Sequence, residues 1–231
     1  MSAVRRGTWV AIIALTCTVS WCLFRPPSRM GPHFLVLEPA PVPVPDALPM
    51  VGREGTDARG EPLRSAEMLG FQSLLRARRF EDLCAYVTTL EGDFERDVSH
   101  ESWPIQALEA LSAPMPDAAA LHDAWVSAMP ECWAAYAARG HYLSAVGFAQ
   151  RGEEWAADTS AWQFTAMAES FARAEIDLRR SLAMRPRQVA AAIELLDSAS
   201  ARSDRTMLQA VQRDAIAGGP DCLALRFGYL R

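Results

Sequence analysis

The chain opens with an uncharged apolar run from Thr8 to Phe24, and only beyond residue 64 does a regular succession of apolar and polar faces begin. Between the two, the segment Pro26 to Pro62 holds nine prolines, and in Pro39-Ala40-Pro41-Val42-Pro43-Val44-Pro45 every second residue lacks an amide hydrogen. Such a stretch enters neither a helix nor a central strand. From Arg64 onward apolar residues recur at i, i+3, i+4 and i+7. Phe164, Met167, Ala168, Phe171, Leu178 and Leu182 form one stripe, Val189, Ile193 and Leu196 a second, and Met207, Leu208, Val211 and Ala215 a third. The pattern predicts an all-α body, with strands almost absent. Helices are expected near 65–78, 80–97, 102–112, 116–128, 131–148, 160–184, 187–201, 204–217 and 221–230. It divides the chain into a membrane segment (1–25), a Pro-rich stalk (26–63) and a helical domain (64–231).

The uncharged run, coming after Arg5 and Arg6, sits at the short end of what spans a bilayer. A cleaved signal peptide needs small residues just beyond the apolar core, but this core ends Trp21-Cys22-Leu23-Phe24-Arg25. The best small-residue site follows Ser20, inside the run, so an uncleaved N-terminal transmembrane helix is favoured. Neither Cys17, preceded by Thr16, nor Cys22, preceded by Trp21, has the surroundings of a lipid-modified cysteine. Arg25 and Arg29 nearly balance Arg5 and Arg6, so position decides orientation: the short end stays in the cytoplasm and everything after Arg25 is exported. In the extended polyproline II form, at about 3.1 Å per residue, the stalk would hold the domain up to roughly 100 Å from the membrane.

Charge narrows the partners. All 23 basic residues are Arg, against 28 Asp and Glu, giving a net −5; from Met30 onward 19 Arg face 28 acids, a net −9. An acidic body disfavours nucleic acid and is repelled by anionic head groups, which leaves membrane contact to the anchor.

Proline also reveals a repeat. Pro130, Pro186 and Pro220 each precede an expected helix, and the last two are separated by the tetratricopeptide period of about 34 residues. Proline is well placed at a first helical position, with Glu131 and Asp221 suiting the positive helix end. Pro130 and Pro186 are separated by more than one and a half periods, so an insertion is expected. Its content reads as Arg151 to Ser160, where Gly152 stops one helix in the left-handed conformation and Thr159 or Ser160 caps the next. The architecture implied is an α-solenoid of tetratricopeptide-like antiparallel helix pairs, presenting a curved surface.

Further residues carry a family resemblance: Leu74-Leu75, Phe80, Leu83 and Phe94; Leu121, Trp125, Val126, Pro130, Gly140, Tyr142 and Leu143; Gly147, Arg151 and Gly152; then Ala174, Leu178, Pro186, Leu208 and Tyr229-Leu230. In these the chain resembles a bacterial domain-of-unknown-function family, numbered 4034, with tetratricopeptide-like helices. It departs where the family's usual Trp before the Arg-Gly turn is Phe148, and where a Pro-Lys-Trp ending is replaced by Arg231. The resemblance implies the fold and a bacterial source; joined to the anchor and topology read above, it gives an expected place in the bacterial inner membrane, with the domain in the periplasm or otherwise outside it. It implies no catalytic residue.

His33, His100, His122 and His141 are scattered singly, and no metal, nucleophile or phosphate-loop motif accompanies them. No cofactor and no catalysis are expected, and His100 and His122 read as solvated helix surface. Of Cys84, Cys132 and Cys222, the last two follow Pro130 and Pro220 by two residues, which points to a shared packing role, although an oxidising compartment permits one disulfide. Trp125, Trp133, Trp155 and Trp162 gather near the central pair with Arg139, His141, Arg151, Glu153 and Glu154. Either the tryptophans are core and the charges tie helices together, or the region is a partner groove, since Trp and Arg dominate interface hot spots. Trp133, His141, Arg151, Glu154, Trp155 and Trp162 are the residues expected to bind a protein or peptide partner if it is a groove. The expected function is a membrane-anchored interaction or scaffold module. The alternative is an enzyme or small-ligand receptor with a site at 148–160, marked by a pocket gathering His141, Arg151 and Glu154.

Overall fold

The apolar stripes become helices wherever a cap or turn can start and stop them. The computed structural model describes residues 66–113, 115–218 and 222–228. The anchor, the stalk, Pro220 and Tyr229-Leu230 lie outside them. In order, the helices are α1 (Ala66–Arg76), α2 (Phe80–Arg96), α3 (Ser102–Ser112), α4 (Ala118–Ala128), α5 (Trp133–Arg151), α6 (Ala161–Met184), α7 (Val189–Ala201), α8 (Arg205–Gly218) and α9 (Leu223–Gly228), with a 3-10 turn at Val98–His100. No strand occurs among the described residues, so the described body is all-α, and no described helix is long and apolar enough to cross a membrane. Every expected helix is present, with ends within three residues of the expected ones.

The prolines act differently from expectation. Pro130 and Pro186 lie three residues before their helices, at the second position of turns in which the Cys132 amide donates to the Met129 carbonyl (2.9 Å) and the Gln188 amide to that of Arg185 (3.5 Å). A ring that fixes φ in the helical range suits that position of a β-turn as well as it suits a first helical one. Glu131 is therefore in the turn, and the first turn of α5 contains no acid.

The helix starts follow the proline spacing: α7 begins at Val189 and α9 at Leu223, as far apart as Pro186 and Pro220. The excess upstream is distributed unexpectedly. Helices α5 and α6 have 19 and 24 residues against 13 and 14 in α7 and α8, while the joining turn has nine residues (152–160) against three (202–204). Sixteen of the extra residues thus lengthen helices and only six lengthen the turn. The insertion is chiefly a longer helical hairpin.

That hairpin is the most extensively packed pair in the domain. A Cβ on Gly140 would lie 2.6 Å from Leu178 Cγ and 3.3 Å from the Ala174 carbonyl oxygen, and one on Gly147 would lie 2.7 Å from the Phe171 ring and 3.3 Å from the Met167 carbonyl. The two glycines, about two helical turns apart, share a face of α5 and let α6 approach until its backbone is in contact. Contacts falling in reverse order, 140 with 178 and 147 with 171, make the pair antiparallel. Around it α1 packs on α3, α3 on α5, α5 on α7 and α7 on α9, while α2, α4, α6 and α8 each also pack on the helix that follows. Two apolar clusters result. One is centred on Phe71, Leu75, Leu83, Leu111 and Trp125, the other on Leu178, Val189, Leu195, Leu196 and Ala199.

Cys84 on α2 and Cys132, just before α5, form a disulfide, with Cα atoms 6.2 Å apart, and the Trp125 indole N–H points at Cys84 Sγ at 3.4 Å. This corrects the expectation of a shared packing role for Cys132 and Cys222. Both precede a helix and both are buried, but Cys222 keeps its thiol, which donates to Glu101 at 3.3 Å. Sequence spacing matched the two positions and could not show that α2 brings a third cysteine to one of them.

Two measurements test this packing. Gly140→Ala or Gly147→Ala should each destabilise by about 1–3 kcal/mol through overpacking, read as a drop of roughly 3–10 °C in melting temperature; an unchanged melt would mean the helices are not in backbone contact. Cys84→Ser with Cys132→Ser removes a cross-link closing a 48-residue separation, for which chain entropy gives about 4 kcal/mol. Denaturant midpoints of the oxidised, reduced and double-variant proteins should show the last two alike and both well below the first.

Candidate functional site

The far end of the α5–α6 hairpin is built by a chain of local hydrogen bonds. Gly152 ends α5 with its amide on the Phe148 carbonyl (3.1 Å) and a positive φ of 80°, which a side chain resists; its ψ of −176° makes it an extended exit and not the left-handed stop anticipated. The Trp155 carbonyl accepts from the amides of Asp158 (2.8 Å) and Thr159 (3.0 Å) and from the Thr159 hydroxyl (3.0 Å). Ser160 and Gln163 then cap α6 reciprocally: Ser160 Oγ accepts from the Gln163 amide and Gln163 Oε1 accepts from that of Ser160. Gln163 Nε2 also donates to the Arg151 carbonyl at 2.9 Å, fastening the first turn of α6 to the last turn of α5.

Trp155 in this turn is 83% exposed, Trp162 in the first turn of α6 is 68% exposed, and Phe148 near the end of α5 is 41% exposed. Phe148 sets its inner edge against buried Phe171, ring centroids 5.0 Å apart. Glu153, Glu154 and Asp158 are exposed, and none forms an ion pair among the described residues. Arg151 turns one guanidinium N–H onto the Gly152 carbonyl at 3.3 Å.

Arg151, Glu154, Trp155 and Trp162 therefore share one end of the hairpin. The other two expected residues are elsewhere. Trp133, at the start of α5, is buried, with the Arg185 guanidinium 5.4 Å above its ring and its carbonyl accepting from Ser181 at 2.8 Å. His141 is buried between α5 and α7, with Nε2 on the Ala190 carbonyl (3.3 Å) and Nδ1 on Glu194 (3.1 Å). Ten helical residues, about 15 Å, separate His141 from Arg151, so His141, Arg151 and Glu154 do not converge on one pocket. Trp125 is likewise wholly buried. Sequence reasoning passed over Ile176, 70% exposed on α6, and took Phe148 only as a departure from the family's Trp and the edge of the 148–160 segment. The signal that finds Ile176 is an apolar residue standing off the helix's buried stripe.

A concavity of about 690 Å³ lies against the disulfide and is lined by Cys84, Thr88, Met129, Pro130, Glu131, Trp133 and Arg185 among others. Of its two charged lining residues, Arg185 pairs with Glu95 at 2.9 Å, and Glu131 is exposed. No group of three or more His, Cys, Asp or Glu among the described residues is arranged to hold a metal.

The body's remaining polar groups lock helices together. Arg139 makes a two-pronged bond to Asp177 (2.7 and 2.8 Å) and reaches Asp123 at 3.0 Å, joining α4, α5 and α6. His122 overturns its reading as solvated surface: it is fully buried beside Leu121 and Trp125, because α4 turns this face inward. Its Nε2 bonds the Leu111 carbonyl at 3.1 Å, its ring lies 5.0 Å from that of Tyr142, and burial pushes its pKa down to about 4. His100 is half-buried and stacks on Trp103 at 3.7 Å. Glu91, also fully buried, accepts from the Val189 amide at 3.2 Å, and burial pushes its pKa up to about 7.

The described chain is thus an all-helical protein whose long central hairpin ends in exposed tryptophans. The sequence profile described as "Domain of unknown function (DUF4034)" matches residues 69–214, and the chain belongs to that family. No curated protein and no solved structure matches it.

Glu91 and His122 predict a compensated pH response. Glu91 binds its proton more tightly folded than at its ordinary 4.5, so its contribution is lost as pH rises from 4.5 to about 7. His122 binds its proton less tightly than at its ordinary 6.5, so its contribution is lost as pH falls from 6.5 to about 4. Between 4.5 and 6.5 the two slopes oppose each other. Glu91→Gln should unmask the histidine: relative to wild type, its unfolding free energy should fall by about 2 kcal/mol from pH 6.5 to 4.5, measured as urea midpoints across that range.

Proposed function

We propose that this chain is a membrane-anchored, non-enzymatic scaffold of the bacterial envelope, whose helices form a tetratricopeptide-like α-solenoid and whose α5–α6 hairpin docks another protein. The carrying observation is the exposure of Trp155 in a hydrogen-bonded turn and of Trp162 in the first turn of α6, which Gln163 fastens to α5. Large aromatic side chains are costly to leave in water and are the residues that concentrate binding energy at interfaces. A turn already ordered before contact loses little entropy on docking.

Three further features support the reading. The one-period spacing of α7 and α9, with each odd-numbered helix packed on the next, is the neighbour-on-neighbour pattern of helical repeats. The Cys84–Cys132 disulfide favours an oxidising compartment, which the uncharged run at 8–24 would provide by exporting the rest of the chain. The Pro-rich segment 26–63 would then carry the hairpin clear of the lipid.

Replacing both Trp155 and Trp162 by Ala in the full chain tests the proposal. The melting temperature should stay within about 2 °C, because neither ring supports the core. Complexes trapped by chemical cross-linking in the native envelope should disappear. Retention of every complex by a folded double variant would overturn the docking role.

A further inference from the structure

The hairpin's charge specifies what kind of partner it fits, an inference that rests on the docking role proposed above. Carboxylates elsewhere in the body are largely engaged. Asp82 pairs with Arg79, Asp93 with Arg96, Asp123 and Asp177 with Arg139, Glu175 with Arg179 and Arg202, and Glu95 with Arg185. Glu101 caps α9, accepting from the Leu223 and Ala224 amides at 2.8 and 3.3 Å. At the turn the situation reverses: Glu153, Glu154 and Asp158 stand close together in the chain, all exposed and all outside any described ion pair. Trp155 lies between them in the chain, and Trp162 follows in the first turn of α6.

Two exposed indole faces beside three free carboxylates match one kind of side chain best. A guanidinium or ammonium group is attracted to the face of a Trp ring and pairs with a carboxylate. We infer that the hairpin end is a docking site for a cationic segment of a partner protein, whose Arg or Lys side chains lie on Trp155 and Trp162 and pair with Glu153, Glu154 and Asp158. Other occupants fit less well. An anionic bilayer that accepted the tryptophans would meet three carboxylates of its own sign. Two copies meeting hairpin to hairpin would bring six carboxylates together. Attraction of this kind steers encounter, so association slows as salt rises.

The test uses the full chain in nanodiscs of neutral phosphatidylcholine, with an acetylated decapeptide of alternating Arg and Ala as probe and its citrulline counterpart as the uncharged equivalent. Affinity is read by titration calorimetry. Neutralising the hairpin (Glu153→Gln, Glu154→Gln, Asp158→Asn) should weaken the Arg peptide about tenfold or more, and Trp155→Ala with Trp162→Ala by a comparable factor. Neutralising three other unpaired acids (Glu81→Gln, Glu109→Gln, Asp117→Asn), an identical change in net charge, should cost no more than about threefold. Equal losses in the two neutralised variants, or equal binding of the citrulline peptide, overturn the inference.

A photo-reactive phenylalanine at position 157, activated in the native envelope, separates this inference from the docking role itself. Adducts on partner segments containing Arg or Lys support both. Adducts on protein segments lacking them overturn the cationic partner while leaving a docking surface; lipid adducts, or none, overturn both.

Discussion

The backbone contact between α5 and α6 is the constraint from which the rest of the domain takes its form. Gly140 and Gly147 remove the side chains that would hold the helices apart, and Leu178 and Phe171 fill the space so released. Between these two contacts the small buried side chains of Ala174 and Ser144 suffice. The pair also reaches four of the seven other described helices: α5 packs on α2, α3, α4 and α7, and α6 on α7. Both of its helices are longer than those of the α7–α8 pair, and the exposed tryptophans stand at the 152–160 turn that joins them.

Polar groups fasten this stack at a few long-range points. Glu91 on α2 accepts an amide at the start of α7, far along the chain, and Glu101 does the same for α9 across a still longer separation. Both exploit the unpaired amides and positive end of a helix, where a carboxylate is most at home. The disulfide adds a covalent tie from α2 to the start of α5. These links join helices that hydrophobic contact alone leaves free to slide along one another. Glu91 shows the cost, since complete burial holds its carboxyl in partly protonated form near neutrality.

How much of this was legible in the sequence depends on distance along the chain. Helix positions were, because a stripe at i, i+3, i+4 and i+7 reports burial over a run of neighbouring residues; so were the stop at Gly152 and the cap at Ser160, which are settled within a single turn. The candidate site was half legible. Arg151, Glu154, Trp155 and Trp162 lie close in sequence and were bound to lie close in space, whereas Trp133 and His141 were grouped with them by type and are far down the helix. His122 was misread for a local reason: it was judged with its neighbour Asp123, although it falls on the apolar stripe of Ala118, Leu121 and Trp125, and Leu111 and Tyr142 from other helices complete the burial of its ring.

By itself, then, the sequence determined an acidic chain with an uncharged apolar run at 8–24, a proline-rich segment and an all-helical body in which Pro186 and Pro220 stand thirty-four residues apart, since all of these follow from local composition and spacing. Only the tertiary structure decided that Cys84 rather than Cys222 meets Cys132, that Glu91 and Glu101 cap distant helices, and which tryptophans face water. The physical reason is that a stripe reveals which face of a helix is buried but not which helix covers it, or how far along. That is set by side-chain volumes at the seams, above all the two glycines that let α5 and α6 close upon each other.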